Sequence, residues 1–567
     1  MKKKSMLLVL TLLLAVSAFV SACGGSSTPA KEEAKNEQKS NENKNEPAKE
    51  QVFRFNSISE PPSLDPGQAQ DSTSFALLGA VFEGLTRSDE NGKPLEGTAE
   101  KWEISPDGTK YTFHLRKDAK WSNGDPVTAN DFEFAWKRVL DPDFQPAPPY
   151  AYQLYYIKNA EGYNKHKDAA YTKTKITDPN EVGVKALDAN TLEVQLESPT
   201  AYFLSLLSFQ TFFPVHQSVK SNPKWASDAN SIISNGPFKV SKWVKQSSLE
   251  LAKNDNYYAK DEVKFTKVQV SIVSEGSSEL NMYETNVLDY SGMPTGEIPT
   301  EQIPVLQQTK KDELHIKGVA SSYYYLFNNK QKPFSNKKIR RALSMAINRQ
   351  LLIDKVTLSG ELPAFGIVSP GIAGLNGEYR SEVKDNYFQE NVEEAKKILQ
   401  EGLQEEGLTT LEFDLAYNTN DKHKKIAQAI ADMWSKNLNV KVKIQNQEWA
   451  VFLKNRTNLN YQVARAGWST DYNDPMSFLD LYMTGGGNND IGFSNPKYDE
   501  LLKKAKTSMD AKERMDLMAQ AEKILIEDEQ AILPIYYYTS VGLTKPNVKG
   551  VFIDYQGMIH FDRGYLE

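Results

Sequence analysis

A single cysteine, Cys23, serves the whole chain of 567 residues. No intramolecular disulfide is possible, so whatever folds here must be held by burial and hydrogen bonding alone. The stretch 51–567 can meet that demand, being long enough for about three ordinary domains. Where the cysteine stands is equally informative. Lys2, Lys3 and Lys4 precede an apolar run over 6–20, and Val20-Ser21-Ala22 sets small residues directly before Cys23. A basic start, an apolar middle too short to span a bilayer comfortably, and a small-residue end mark an export address rather than part of the fold.

The Val20-Ser21-Ala22-Cys23 arrangement resembles the lipobox of bacterial lipoproteins, in which the cysteine becomes the lipidated first residue. On that reading 1–22 is a lipoprotein signal peptide, and no thiol is left for a nucleophile or a metal. Residues 24–50 hold no aromatic and no large aliphatic residue. They cannot bury a core, so 23–50 is expected to be a lipidated, flexible tether reaching on the order of 30 Å. No second apolar run of spanning length follows, which predicts a soluble body on the extracytoplasmic face of the cell membrane. A lipid anchor with a long tether suits a single-membrane bacterium, where an untethered receptor diffuses away. The formal charge is -7 and stays acidic without the three lysines. No nucleic-acid partner is expected, because such a partner calls for a basic balance or stripe.

From Val52 the pattern becomes globular. Lys110–Leu115 alternates, with Tyr111, Phe113 and Leu115 on one face, and 192–196 alternates likewise. Helices lengthen toward the C-terminal half. Ser335 reads as the N-cap of a helix carrying Ile339, Leu343, Ala346 and Ile347, with Gly360 beyond its end. Ile426, Ile430, Trp434 and Leu438 mark another helix, leading into a strand over 440–444. Tyr498, Leu501 and Leu502, then Met515, Met518 and Leu525, mark a further pair. Strands alternating with helices predict an α/β architecture. No fixed internal period is present, which disfavours a solenoid or a propeller.

Reactive chemistry finds little support. His114, His166, His216, His315, His423 and His560 show no HExxH or Cys/His ligand spacing, so no metal is expected. No GxxxxGK[ST] or GxGxxG follows a strand, and Gly485-Gly486-Gly487 has no phosphate-loop lysine. No cofactor is called for. Ser335-Asn336-Lys337-Lys338 satisfies the S-x-x-K pattern of penicillin-interacting enzymes, but the accompanying S-D-N and K-T-G elements are absent. A capping serine before solvated lysines accounts for it. No G-x-S-x-G elbow is present either, so the chain reads as a protein that is not an enzyme.

Several segments together resemble the family 5 solute-binding proteins of peptide and nickel ABC importers, most closely their oligopeptide-binding branch. Ala99-Glu100-Lys101-Trp102, Tyr111-Thr112-Phe113-His114-Leu115-Arg116 and Trp121-Ser122-Asn123-Gly124-Asp125-Pro126-Val127-Thr128-Ala129 form the diagnostic stretch. Ser63-Leu64-Asp65-Pro66, Glu83-Gly84-Leu85, Ser234-Asn235-Gly236-Pro237-Phe238 and Ile339-Arg340-Arg341-Ala342-Leu343 also match. So do Arg465-Ala466-Gly467-Trp468-Ser469-Thr470-Asp471-Tyr472-Asn473-Asp474-Pro475 and Pro534-Ile535-Tyr536-Tyr537-Tyr538. The resemblance covers essentially all of 52–567, in the family's order. It implies a two-lobed, type II clamp of the periplasmic-binding-protein kind with an additional third domain. One lobe would comprise 51–83, 212–321 and 537–567, the additional domain 84–211, and the other lobe 322–536. Chain crossings near Ser322 and Tyr537 would form the hinge.

The resemblance also implies a ligand, an oligopeptide held between the lobes and passed to the transmembrane subunits of an ABC permease by a monomeric receptor. Asp471 falls on the acidic residue that pairs with the ligand's α-ammonium, and Arg465 on a basic residue suited to a carboxylate. Trp468 would cover the amine end. Backbone around Ser72, Gly467 and Ser469 would hydrogen-bond an extended peptide like an added strand. Tyr150 and Tyr538 match aromatic residues lining the cleft, while His423, Asn418 and Arg456 match polar positions that serve longer peptides. Gln70 stands near a position where relatives carry an acid. Dipeptides, murein peptides or a metal chelate remain alternative cargoes. The pairing of Asp471 with Arg465 favours a zwitterionic peptide. A lipid-anchored hydrolase and a signalling role are the remaining alternatives.

Overall fold

Two long strands, Leu314–Phe327 and Ile532–Thr544, run antiparallel to each other and carry the chain twice from one lobe to the other. The computed structural model describes residues 50–567 apart from Ala201, so the signal peptide 1–22, Cys23 and the tether up to residue 49 lie outside the described residues. At one end of the pair, Val541 and Leu543 pack with Leu280, Tyr283, Leu288, Ile298, Ile303 and Leu306. At the other end, Tyr323 to Phe327 and Ile532 to Tyr536 enter the main core. Ser322 pairs directly with Tyr537, and the register shifts between Gly318 and Ser322. Such an irregularity bends a ladder locally. It falls where the two lobes meet.

One four-stranded sheet runs in the order Val52–Ser57, Lys267–Ile272, Ser248–Lys253, Phe238–Val244. Its first pair is parallel. Alternation sends Phe53 and Phe55 inward, where each meets the Phe561 ring and Phe53 also stacks on Phe265 at 5.1 Å. A second four-stranded sheet, antiparallel throughout, runs in the order Ala99–Ile104, Lys110–Leu115, Thr191–Gln195, Val184–Asp188. Tyr111, Phe113 and Leu115 are buried as their alternation requires, and the strand expected over 192–196 begins one residue earlier. The long pair is extended by Val463–Ser469, Glu412–Asn418 and Lys441–Gln447. The chain is thus an α/β, two-lobed clamp with hinge crossings.

The helices correct the reading in detail. The helix Lys337–Met345 is capped by Asn336, whose side chain accepts from the Lys338 N–H at 2.9 Å. Ser335 lies one residue outside, exposed, its N–H spent on the Gln331 carbonyl. The helix also stops well short of Gly360. Asn348 caps a second short helix, Arg349–Leu352, and the break turns Arg349 into the core, where it donates to the carbonyls of Ala364 and Pro534. Asp421–Leu438 matches its pattern: Asn420 caps it, Ile426, Ile430, Trp434 and Leu438 are buried, and the next strand starts at Lys441. Pro496–Thr507 and Ala511–Lys523 form the expected pair, burying Tyr498, Leu502 and Met518.

Candidate functional site

The strand Val463–Ser469 sets the geometry of the cleft. Its alternation buries Ala464 and Ala466 in the second lobe and leaves Arg465, Gly467 and Ser469 toward the space between the lobes. The chain then turns through Thr470 and Asp471. These residues line a cavity of about 240 Å³ together with Ser72, Tyr150, Asn418, His423, Arg456, Trp468 and Tyr538. All eleven positions singled out in the sequence therefore converge on one space.

Asp471 is buried and forms no ion pair with any described residue. Its Oδ2 accepts from Gln153 Nε2 at 2.9 Å, its N–H donates to Ser477 Oγ at 2.7 Å, and its carbonyl accepts from Gln556 Nε2 at 2.9 Å. Burial pushes its carboxyl well above the usual carboxylate range, the charge of Asp480 adds to this, and the Gln153 hydrogen bond opposes it. Arg465 is the converse case. Its Nη2 donates to Tyr538 Oη at 2.6 Å and its Nη1 to Asn418 Oδ1 at 3.4 Å, and the guanidinium lies 5.0 Å from the Tyr323 ring centre. Its Nε is buried without a partner, and no carboxylate of the described residues pairs with it. One cavity thus holds an acid without a cation and a guanidinium without an anion.

The surroundings fix these two groups. A Cβ at Gly467 would come within 3.1 Å of Tyr538 Oη and 3.2 Å of Arg465 Nη2, so only glycine leaves both undisturbed. Ser321 Oγ donates to Ser469 Oγ at 2.6 Å. Tyr150 stacks on Trp468 at 6.1 Å and packs against Phe209 at 4.7 Å. Ser72, on the cavity rim, opens the helix Ser72–Val81. Burial, then the charges of Arg465 and Lys422, hold the His423 imidazole well below its usual range, so the ring is neutral near pH 7. Arg456 also faces the cavity, but its Nε already meets Asp490 Oδ2 at 2.7 Å, which satisfies its charge.

Sequence reasoning missed several lining residues. The acid that Gln70 lacks stands one place on: Asp71 lines the same cavity, although its oxygens are occupied as a helix cap by the Ser74 N–H and hydroxyl. The Asp71-Ser72-Thr73-Ser74 pattern is a capping signal that could have located it. Glu297, Asn420 and Lys422 line the same cavity and bond to one another, with Asn420 Nδ2 donating to Glu297 Oε2 at 2.6 Å and the Lys422 N–H to Oε1 at 3.1 Å. The Glu297 carboxylate therefore sits on the N-terminus of Asp421–Leu438, where backbone N–H groups favour an anion.

Burial, with repulsion from Glu279 and Asp421, raises Glu297 up to about 7 against the pull of Lys422. Opening that exposed this group to solvent would bring its value toward the ordinary 4.5. A group raised on closure favours the closed form when protonated. That contribution is full below the ordinary carboxylate range and is lost as pH rises through about 7. Small-angle scattering of the ligand-free protein is expected to show a larger radius of gyration at pH 8 than at pH 5. Glu297→Gln should remove the difference; a variant that still expands would show that another group is responsible.

The family model described as bacterial extracellular solute-binding proteins, family 5, matches residues 93–490. The oligopeptide-binding protein OppA of Bacillus subtilis (strain 168) is 40% identical over 567 residues, 99% of either chain. Listeria monocytogenes OppA bound to peptide superposes with a TM-score of 0.84 at 34% identity, over 91% of this chain and 99% of that one. The Escherichia coli murein tripeptide binding protein MppA superposes at 0.82 and 32% identity, covering 92% of this chain and 99% of its own. Its unliganded open form, at the same identity and over 92% and 98% of the two chains, reaches only 0.60. The lobes described here are not in that open arrangement.

Proposed function

We propose, from the premise that this chain belongs to family 5 of the bacterial extracellular solute-binding proteins, that it captures oligopeptides in the interlobe cavity and delivers them to an ABC permease for import. The division into 51–83, 212–321 and 537–567 as one lobe, 84–211 as the additional domain and 322–536 as the other lobe belongs to the same reading. So does a lipid on Cys23 that keeps the receptor at the outer face of the cell membrane.

The observation that carries the reading is the pair of uncompensated charges in one cavity. A buried carboxylate without a cation is costly unless something binds to it, and so is a buried guanidinium without an anion. A zwitterionic chain satisfies both, its ammonium at Asp471 and its carboxylate toward Arg465. Between them, Gly467 and the partly exposed backbone of Val463–Ser469 offer main-chain groups to an extended peptide whatever its side chains. On this reading Asp471, Arg465, Trp468, Gly467, Ser469, Ser72, Tyr150 and Tyr538 have the roles that the resemblance implies. Asn418 acts through Arg465, and His423 offers a neutral ring. Arg456 is held by Asp490 and contributes shape more than charge.

Mass spectrometry of material released when the purified protein is denatured tests this directly. Unmodified peptides of several residues are the expected cargo. Recovery of muropeptides or metal chelates instead would transfer the assignment to one of those ligand classes.

A further inference from the structure

We propose that Gln153 is the positioning residue that presents Asp471 to an amine, and that the amine site is completed only by closure. This inference rests on the peptide reading of the cleft. Gln153 lies in the turn Ala151–Tyr156, fully buried, its N–H bonded to the Tyr150 carbonyl at 3.0 Å. The same turn that offers Tyr150 to the cavity therefore carries Gln153 to Asp471. The two residues are 318 apart in sequence and, on the proposed division of the chain, come from the additional domain and the second lobe.

A carboxylate offers about four lone-pair sites on two oxygens. Gln153 Nε2 takes one on Oδ2, and no described side chain donates to Oδ1, which is left for a ligand. Gln153 Oε1 is buried without a partner and Nε2 makes one longer bond besides, to Tyr152 Oη at 3.5 Å, so no bond to Oε1 fixes the amide's orientation. The negative charge of Asp471 does so, drawing the N–H₂ end toward itself. In return the amide is the one side-chain donor among the described residues that favours the ionised form of this acid against the pull of burial. Without it the acid gains by taking up a proton, and a neutral acid offers an ammonium a hydrogen bond roughly half as strong.

A second glutamine gives the contrast. Gln556, in the hairpin formed by Phe552–Ile553 and Ile559–His560, donates from Nε2 to the carbonyls of Thr470 at 2.8 Å and Asp471 at 2.9 Å. It clasps the main chain of the same loop and does not touch the carboxylate. Both glutamines close on the loop, but only Gln153 reads its charge.

The two roles separate in calorimetry on the full chain, freed of bound material, with tetra-alanine and its N-acetyl derivative as probes. Gln153→Leu is expected to weaken the free-amine peptide about tenfold while the acetylated one stays within about twofold, so that the preference collapses. Gln556→Leu is expected to weaken both by the same factor and keep the preference. Gln153→Met, nearer in shape, carries the same test should the leucine variant not fold. Equal losses for both probes in the Gln153 variants, or an unchanged preference, overturn the inference alone. A wild type that binds both probes equally overturns the reading of Asp471 and the inference with it.

Discussion

Replacing Asp471 by alanine is expected to weaken binding of a free-amine peptide by about 2 kcal/mol or more, roughly thirtyfold. The size follows from the site. The carboxylate is buried and, among the described residues, has one side-chain hydrogen bond and no cation, so a ligand ammonium would be its counter-charge. A charge-assisted bond there is not screened as a surface pair is. Acetylating the peptide's amine removes the same interaction from the ligand side, so the alanine variant and the blocked peptide should not be additive. Calorimetry on the two proteins and two peptides forms a double-mutant cycle that isolates the term. Acidification gives an independent view. Burial raises this carboxyl in the closed form, so amine binding should fall as pH drops through that raised range, before ordinary carboxylates titrate. An N-acetylated peptide held by the wild type as tightly as its free-amine form would remove Asp471 from the role.

How far the chain could be read before its structure depends on whether a signal is local. Tyr111, Phe113 and Leu115 announce a strand because alternation needs only neighbours, and Ile426 to Leu438 announce a helix for the same reason. Caps are local too but ambiguous by one residue: Ser335 and Asn336 both qualify, and Asn336 takes the cap. The turn of Arg349 into the core could not be foreseen, because the carbonyls that receive its side chain, those of Ala364 and Pro534, lie 15 and 185 residues on. In the cleft, Arg465, Gly467, Ser469 and Asp471 share one short segment that could be matched as a unit. Gln153, Glu297 and Gln556 come from irregular turns and loops, and meet it only through the fold. No periodicity marks them, and an uncharged glutamine in a tyrosine-rich turn carries no chemical signal of its own.

A similarly hidden residue governs stability. Glu522→Leu is expected to destabilise the second lobe by about 3–5 kcal/mol. Glu522 projects from Ala511–Lys523 into the core and is fully buried. Its Oε1 accepts from the N–H groups of Ile367 at 2.8 Å and Val368 at 3.0 Å and pairs with Arg380; its Oε2 accepts from Tyr379 Oη at 3.3 Å and Tyr387 Oη at 3.1 Å. Gly366 leaves the room, since a Cβ there would stand 2.8 Å from both Arg380 Nη2 and Glu522 Oε1. Removing the carboxylate strands a buried guanidinium and two buried N–H groups together, which is why the cost exceeds that of an ordinary core truncation. The consequence reaches the crossings. The Ile367 carbonyl accepts from Ser322 Oγ at 2.8 Å and the Gly366 carbonyl from Tyr537 Oη at 3.4 Å, so the segment that Glu522 anchors braces both strands where they pass between lobes. Urea titration followed by tryptophan fluorescence, in which Trp434 reports from this lobe, measures the loss. Arg380→Met added to Glu522→Leu should recover much of it, because an apolar pair replaces an unpaired charge. A double variant no more stable than the single one would mean that the cost comes from the two tyrosines and the freed backbone groups, with the ion pair contributing little.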